Sequence, residues 1–408
     1  MVGLTWLDYS ERERQQVMEV INLLGDESAR DELGIGSIRD ALADRLFPGT
    51  STIQTRLRYF LFVPWALSEL ETRRIPSHEA ATRSRRLQGR LRDALIASGK
   101  ADGVIGFVAG HKVQRLPSNI YWGGLGKWGI RLYPGSEAAY YQSLDAFYNR
   151  QRTNRGSADG EPGKDAELCN WDPSLPPPPD GFMEQIDFSL SGDEADYLID
   201  RIRYRAPDSL LRVLIDRGAT APAHISFPWE HPATANLPEK PATALTHAHN
   251  FSQLIHGAAL IYNLILAEQS QWDQGVQKYR LQLNEWWNGT IERGSDFAQW
   301  HQEVFWKFMT RSNARITPCT RAFVDDWRNW FDRAHRIEDL MDNRGVRQLI
   351  TSRESKLKGK RARIGNQRAL ESWSGASGTA QLDYRWNKPV ATYLNDLADA
   401  FSEGGANA

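Results

Sequence analysis

Apolar residues recur at intervals of three and four along much of the chain, which is the period of an amphipathic α-helix. Two capping boxes of the form Ser-x-x-Glu precede such stripes, at 10–13 and at 191–194. In a capping box the serine and the glutamate bind N–H groups that the first helical turn leaves free. The pattern predicts helices over about 11–24 and after residue 191.

Two further stripes of large apolar residues, over 297–308 and 323–334, predict two more helices. Sustained alternation of apolar and polar residues, the pattern of a half-buried strand, is hard to find. The best strand candidates, 103–108 and 131–133, are short. The sequence therefore predicts a mainly α fold, a multi-helix globular protein with few short strands.

Proline and glycine divide the chain. Residues 151–183 hold six prolines and four glycines, a composition typical of an extended connector or a surface loop. Five prolines fall within 220–246, where we expect no regular structure. The predicted organisation is an N-terminal helical domain over 1–150, a connector over 151–183 and a C-terminal helical domain over 184–408.

The 408-residue chain has 50 basic and 51 acidic side chains, so any site for a polyanion must be local. Two cysteines exclude a disulfide framework and a four-thiolate zinc site. The first twenty residues carry several charges, unlike a signal peptide, and no apolar stretch approaches the roughly 18 residues of a membrane span. We therefore expect a soluble, cytoplasmic protein. Its 15 tryptophans favour core packing, although indole rings also stack on bases.

The strongest local charge lies over 346–368, where eight basic side chains accompany one acidic side chain, Glu354. Such a run is usually a solvated surface, but its density in a near-neutral chain favours contact with phosphates. The side chains predicted to make this contact are Lys356, Lys358, Lys360, Arg361 and Arg363. Glu354 and Lys356 also fit half of a metal-dependent nuclease motif, a short pattern that arises easily by chance.

Two glycine turns precede apolar helical patterns. Gly34-x-Gly36 leads into a segment that carries Arg39, and the turn at 49–52 leads into a predicted helix with Arg56 and Arg58 on its exposed face. Free N–H groups at such helix starts can hold a phosphate. The simpler interpretation is that a serine or threonine caps each helix and the arginines are solvated. The spacing fits neither a dinucleotide fingerprint nor a phosphate-binding loop, so we expect no nucleotide cofactor.

The segment 114–122 combines a base, an amide and two large rings: Arg115, Asn119, Tyr121 and Trp122. Aromatic rings can hold an extruded base while an amide binds its edge. Alternatively, Ser118 caps a helix whose apolar residues pack inward.

A polar line runs along the apolar helix predicted around 247–263, because His249, His256 and Asn263 recur every seven residues. Two histidines seven residues apart are about 10 Å apart along a helix, too far to share one metal. The pattern favours a buried hydrogen-bond network, and His249 remains a candidate acid or base.

Several of these segments together resemble a bacterial family linked to phage defence. Its members are similar over nearly the full length, and within it the resemblance is to an antiphage DNA glycosylase that excises α-glucosyl-hydroxymethylcytosine. The segments that carry the resemblance are 6–10, 33–40, 47–65, 115–122 and 256–263.

The resemblance implies hydrolysis of an N-glycosidic bond in double-stranded DNA with modified bases, leaving an abasic site and requiring neither metal nor cofactor. Such a reaction needs a carboxylate beside the developing positive charge of the sugar. The candidates are Asp40, in the first turn after the glycine loop, and Asp44, one turn later. Tyr121 and Trp122 would stack on the base, Asn119 and Tyr59 would supply hydrogen bonds, and Arg39, Arg56, Arg58 and Arg115 would join the basic segment in binding DNA.

Two alternatives stay open. The chain could be a noncatalytic DNA-binding subunit of a defence locus, which would use the basic segment without chemistry. It could also be a metal-dependent nuclease that uses Glu354 and Lys356, and EDTA would then stop its activity.

Overall fold

A computed structural model describes residues 31–156, 169–292, 297, 299–312 and 314–404. The helix predicted over 11–24 lies outside them. Within the described residues the α-helices follow in this order: α1 Gly36–Leu46, α2 Tyr59–Thr72, α3 Ser77–Ala97, α4 Pro117–Lys127, α5 Glu137–Gly156, α6 Gly192–Arg205, α7 Leu210–Asp216, α8 Glu239–Gln269, α9 Asp273–Glu292, α10 Gln302–Arg311, α11 Pro318–Arg333, α12 Glu338–Met341, α13 Arg344–Lys358, α14 Gln367–Leu370 and α15 Ala391–Gly404. The mainly α prediction is confirmed.

Both strand predictions are wrong. Residues 103–108 form successive turns, because Gly103 and Gly106 have φ values of +85° and +80° that interrupt any extended run. Arg131 makes only an isolated bridge with Trp171, and the described residues contain no β-sheet. Short apolar runs carry too little periodicity to separate a strand from a turn.

Local capping signals fix two helix starts. Ser191 Oγ accepts the N–H of Glu194 at 3.2 Å, and Glu194 Oε2 accepts the N–H of Ser191 at 3.1 Å, so the predicted capping box is confirmed. The helix predicted over 323–334 begins earlier, at Pro318, where Thr317 provides the cap. Of the stripe over 297–308, residues 302–308 are helical, within α10.

The proline-rich stretch 220–246 is more regular than predicted. It contains two short 3₁₀ turns, Pro228–Glu230 and Pro232–Thr234, and α8 begins inside it at Glu239. Pro241 lies in the first turn of α8, where a helix needs no backbone donor, so proline is tolerated there.

The chain divides into two compact units. The first unit comprises the described parts of Met1–Leu42 and Thr246–Tyr384, and the second those of Ala43–Leu245 and Arg385–Ala408. These bounds differ from the domains predicted from the sequence. The described part of the predicted connector belongs to the second unit, where Pro176 accepts a 2.7 Å hydrogen bond from the indole of Trp65.

Large rings build the core of the second unit. Phe60 and Trp128 stack with their centroids 3.8 Å apart, and Tyr121 meets Phe60 edge-on at 5.0 Å. The indole of Trp128 donates to the carbonyl of Pro48 at 2.8 Å, which satisfies its one polar atom inside the core. Most of the tryptophans with described burial pack in this way, as the composition predicts.

The first unit is organised around α8. Tyr262 is fully buried on it, and Trp327 from α11 donates to the carbonyl of Leu254 at 2.8 Å. Although α8 has 31 residues, no helix in the described part of the chain is long and apolar enough to cross a membrane.

Candidate functional site

Helix α13 carries four of the eight cations of the basic segment, and one face of the helix is buried. Val346 and Ile350 are fully buried, and Glu354 continues that face inward. Four cations of the segment point to solvent and make no ion pair with a described residue: Lys356, Lys360, Arg361 and Arg368. These four are the part of the predicted phosphate-binding surface that remains available.

The other four cations are engaged by the first unit itself. Arg347 pairs with Glu268, with its Nη2 at 3.0 Å from a carboxylate oxygen. Arg353 donates to the carbonyls of Leu33 and Gly34 at 2.8 and 3.0 Å. The predictions that Lys358 and Arg363 hold DNA phosphates are therefore corrected, because both bind buried carboxylates instead.

We call those partners the acid cluster. It consists of Glu32, Tyr262, Glu354, Lys358, Arg363 and Ser377. Glu354 Oε1 accepts hydrogen bonds from Tyr262 Oη at 2.6 Å and Lys358 Nζ at 2.9 Å. Its carboxylate also accepts the N–H groups of Arg363 and Ile364, at 3.0 and 2.9 Å.

Glu32 forms the second half of the acid cluster. Its Oε1 accepts Arg363 Nη1 at 2.8 Å and also the Ser377 hydroxyl, while its Oε2 pairs with Lys358. The cluster therefore joins the segment before α1, the helices α8 and α13 and the loop around 377. Every carboxylate oxygen has a charged or hydrogen-bonding partner, as buried charges require.

The hydrogen bonds and cations of the acid cluster lower the pKa of both carboxylates and so favour their ionised form. Burial alone would raise the pKa of Glu32, but hydrogen bonds from Lys358 and Ser377 outweigh it and hold the pKa below its ordinary value. Burial likewise opposes the lowered pKa of Glu354, which the N–H of Arg363 and the hydroxyl of Tyr262 produce. The pKa of Tyr262 is raised by burial and by Glu354. Its hydroxyl therefore keeps its proton and donates a hydrogen bond to Glu354.

The nuclease pattern is not assembled. Glu354 is fully buried whereas Lys356, two residues later on the same helix, is exposed. Side chains two apart on a helix point to different sides, so the pair cannot share one metal or phosphate. No group of three potential metal ligands occurs among the described residues.

A cleft of about 420 Å³ lies between α11 and α13, and we call it the α11–α13 cleft. Trp330 forms one wall and packs on Gly345, where a Cβ would lie 2.5 Å from a ring carbon. The other lining residues are Asp326, Asn329, Arg333, Gln348, Leu349 and Ser352.

The polar groups of this cleft are open to a ligand. Asp326, Asn329 and Arg333 have no side-chain hydrogen bond or ion pair with a described residue. Gly345, Gln348 and Ser352 recur at three and four residues on one face of α13, and Lys356 continues that face one turn later, about 6 Å along the axis. The cleft therefore opens beside the exposed Lys356.

The two carboxylates predicted from the sequence lie outside this cleft. Asp40 is about half exposed and pairs with its neighbour Arg39 at 2.9 Å. Asp44 is 64% exposed and pairs with Arg385 at 2.7 Å. The serine expected to cap α1 is Ser37, but α1 begins at Gly36 and Ser37 lies inside it. Asp31 instead accepts the N–H groups of Ile35 and Gly36, at 2.7 and 2.6 Å.

Arg56 and Arg58 are structural, which corrects their predicted role in binding DNA. No helix begins at 49–52, since α2 begins only at Tyr59. Arg56 pairs with the buried Asp396 at 2.6 Å. The guanidinium of Arg58 is buried and pairs with Glu194 at 2.7 Å, so no DNA phosphate can reach it.

Tyr59 and Tyr121 belong to the core, which corrects their predicted contact with a base. Both are almost completely buried. Tyr121 Oη accepts the N–H of Thr55 at 2.9 Å and donates to the carbonyl of Arg56 at 2.8 Å. Burial raises the pKa of Tyr121 to about 12. The hydroxyl of Tyr59 accepts the N–H of Ile105 at 3.0 Å.

The remaining residues of 114–122 have local roles. Asn119 caps α4 by accepting the N–H of Leu116 at 2.9 Å, and its amide donates to Glu137. The indole of Trp122 donates to the carbonyl of Gly135 at 3.0 Å, and Arg131 covers its ring. Arg115 is exposed and makes no ion pair with a described residue, so it stays available for DNA.

The polar line on α8 is partly confirmed. The side-chain oxygen of Asn263 accepts the N–H of Ser377 at 2.9 Å, and its amide donates to the Ser377 carbonyl at 2.7 Å. His256 Nδ1, by contrast, is buried without a hydrogen-bond partner in the described structure, and burial lowers the pKa of His256 to about 4.

Sequence reasoning missed Glu32, Tyr262 and Asp326. Tyr262 is adjacent to the predicted polar line, and that line is the available signal for the acid cluster. Trp330 belongs to the apolar stripe predicted for α11, but it is only half-buried and lines the cleft. Asp326 carries no distinguishing pattern.

No curated protein and no solved structure matches this chain. A family model does match it, over residues 1–401. The chain therefore belongs to the family described as a family of unknown function (DUF6361).

Proposed function

We propose that this protein is an antiphage DNA glycosylase. It hydrolyses the N-glycosidic bond of a modified base, α-glucosyl-hydroxymethylcytosine, in double-stranded phage DNA and leaves an abasic site. The resemblance of the sequence segments supports the choice of substrate. The observation that carries the proposal is the α11–α13 cleft, which holds an unpaired carboxylate and a half-buried indole and is followed along α13 by the exposed Lys356.

The cleft supplies the groups that this reaction needs. As the bond between C1′ and the base breaks, its electron pair leaves with the base and positive charge develops on the sugar. The carboxylate of Asp326 stabilises that charge and accepts a proton from water as the water oxygen bonds to C1′. That proton then passes to the departing base, so the base leaves neutral and the carboxylate is restored. Trp330 stacks on the extruded base, and Asn329 and Gln348 bind its polar edge or its glucose.

We assign the carboxylate role to Asp326 instead of Asp40 or Asp44. All three carboxylates are exposed, but Asp40 and Asp44 pair with arginines, whereas Asp326 has no partner among the described side chains and lines the α11–α13 cleft. Lys356, Lys360, Arg361 and Arg368 bind the flanking phosphates.

The test uses end-labelled duplexes that contain either cytosine or α-glucosyl-hydroxymethylcytosine, incubated with the full chain in EDTA and then treated with alkali. We expect breakage only in the modified duplex and only after alkali. Asp326→Asn lowers the rate by about 100-fold or more. Asp40→Asn and Asp44→Asn, the matched carboxylate controls, retain the wild-type rate.

Equal activity of Asp326→Asn and wild type would remove Asp326 from the mechanism. Breakage without alkali would add a lyase step. Tight binding with no breakage of either duplex would contradict the glycosylase and favour the second candidate, a noncatalytic DNA-binding subunit. The four exposed cations alone support that candidate, because binding needs no carboxylate.

A further inference from the structure

A second cleft, of about 440 Å³, lies in the second unit between α3 and the segment 105–117. We call it the arginine cleft. Arg85, Arg86, Arg90 and Arg92 line it on the α3 side. Its volume falls within the range of about 300–1,000 Å³ that small-ligand sites occupy.

The charge of the arginine cleft is only partly neutralised. Arg92 pairs with Asp93 at 2.6 Å, and Arg85 donates to the carbonyl of Val113 at 3.2 Å. Arg86 and Arg90 are exposed and make no hydrogen bond or ion pair with a described residue. Four residues apart, they lie on one side of α3 with their Cβ atoms about 6 Å apart. Two adjacent unpaired guanidinium groups form a binding site for a phosphate.

The floor of the arginine cleft is apolar. Ile105, Val113, Leu116 and Pro117 form it, and Gly89 leaves it open, since a Cβ at that position would meet nothing within 4 Å. An apolar floor of this kind accepts the face of an unpaired base.

The arginine cleft is held in shape by buried hydrogen bonds. Gln88 donates to Ser118 Oγ and accepts the N–H of Ser118, both at 2.9 Å, which ties α3 to α4. The N–H of Ile105 is bound by the buried hydroxyl of Tyr59. The site therefore needs little ordering when a ligand binds, which favours affinity.

We propose that the arginine cleft binds one unpaired nucleotide of a DNA strand. Arg86 and Arg90 hold its phosphate, and its base lies on the apolar floor. That the ligand is DNA rests on the proposed function, because extrusion of a base leaves unpaired nucleotides that a second site can hold. A paired base cannot reach the floor, so the cleft prefers single strands to duplexes.

The test measures fluorescence anisotropy of a labelled 12-nucleotide oligothymidylate and of a labelled duplex of equal length. Gly89→Leu fills the cleft without removing a charge. We expect it to weaken single-strand binding at least tenfold and duplex binding less than twofold. Gly289→Leu is the matched control, because Gly289 is also a helical glycine with open space around it, and its affinities stay at the wild-type values.

A second variant tests the proposal even if Gly89→Leu fails to fold. Arg86→Ala with Arg90→Ala reduces the slope of log affinity against log salt by about 1.4 for the single strand, the value for two lost phosphate contacts. Unchanged single-strand binding in Gly89→Leu would overturn the proposal. Equal competition by free thymidine monophosphate or by polyglutamate would also overturn it, because the site would then recognise a free nucleotide or an acidic peptide.

The excision assay on the modified duplex separates this proposal from the proposed function. Excision by wild type together with unchanged strand binding in Gly89→Leu overturns the arginine cleft alone. Cleft-dependent strand binding without excision by wild type supports the arginine cleft and overturns the glycosylase.

Discussion

Two stretches rich in basic side chains are each partly neutralised in this protein, but by partners at different distances along the chain. The segment 346–368 has the higher net charge in the sequence, yet half of its eight cations bind carboxylates or carbonyls of the first unit. The shorter stretch 83–92 on α3 holds five arginines, and the pair Arg86 and Arg90 stays without a described partner. The charge that a stretch presents to solvent therefore cannot be counted from its sequence alone.

The difference comes from where the counter-charges lie. Glu32 neutralises Lys358 across 326 positions of the chain, and Glu268 neutralises Arg347 across 79. On α3 the acidic partners are local: Glu79 pairs with Arg83, and Asp93 with Arg92. Local partners are visible in the sequence, whereas distant partners appear only once the fold brings them together.

The largest expected effect comes from removing the buried counter-charge. Glu354→Ala leaves the Lys358 ammonium, the Tyr262 hydroxyl and two N–H groups without their acceptor, so we expect a loss of about 3–5 kcal/mol in the free energy of unfolding. Urea unfolding followed by tryptophan fluorescence measures it.

Glu79→Ala is the matched control on α3. Its carboxylate is 45% exposed and pairs with Arg83 at the surface, so we expect a loss of about 0–1 kcal/mol. A loss below about 1 kcal/mol for Glu354→Ala as well would contradict the distinction between the two stretches.

Lowering the pH should change the contributions of two buried glutamates, Glu354 and Glu71, in opposite directions. The pKa of Glu354 is lowered in the fold, so its stabilisation is present above its ordinary pKa of 4.5 and is lost as the pH falls below it. In the second unit, burial raises the pKa of Glu71 although Tyr140 and Asn170 bind its carboxylate, so protonation of Glu71 favours the folded state as the pH falls.

Glu354→Gln and Glu71→Gln separate these contributions. Between pH 7 and pH 3 the stability advantage of wild type over Glu354→Gln should shrink, and that over Glu71→Gln should grow. Urea unfolding at several pH values checks both. The same trend for both variants would show that one of the two pKa directions is wrong.

The salt dependence of DNA affinity should distinguish the exposed cations of 346–368 from those that already have a carboxylate partner. Lys356→Ala removes one phosphate contact and lowers the slope of log affinity against log salt for duplex DNA by about 0.9. Arg347→Ala removes a cation that Glu268 already holds, so its slope should equal that of wild type. Equal slopes for Lys356→Ala and wild type would place the DNA surface elsewhere.

The sequence predicts what depends on neighbours in the chain. The capping box of Ser191 and Glu194 and the helical period of α11 are local, and both appear in the structure. The burial of Tyr121 agrees with the alternative in which the apolar residues after Ser118 pack inward, but the sequence could not decide between that alternative and contact with a base, and the burial of Tyr59 was not predicted. Glu32 and Asp326 carry no local signal. Glu32 pairs with Lys358 of α13, far away in sequence, and Asp326 lines a cleft only because α13 packs beside α11.

The smallest expected effects are changes in stability, of opposite sign, on replacing two arginines of α3, Arg86 and Arg83. Arg86 and Arg90 repel each other at i and i+4, so Arg86→Ala should stabilise the protein by about 0.2–0.5 kcal/mol at low salt. Arg83 pairs with Glu79 at the same spacing, and Arg83→Ala should destabilise by a similar amount. Thermal unfolding in low salt and in about 0.5 M salt, where the Debye length is about 4 Å, should find both differences reduced by screening. If Arg86→Ala is instead destabilising, Arg86 has a structural partner, and the unpaired charge on which the arginine cleft depends is absent.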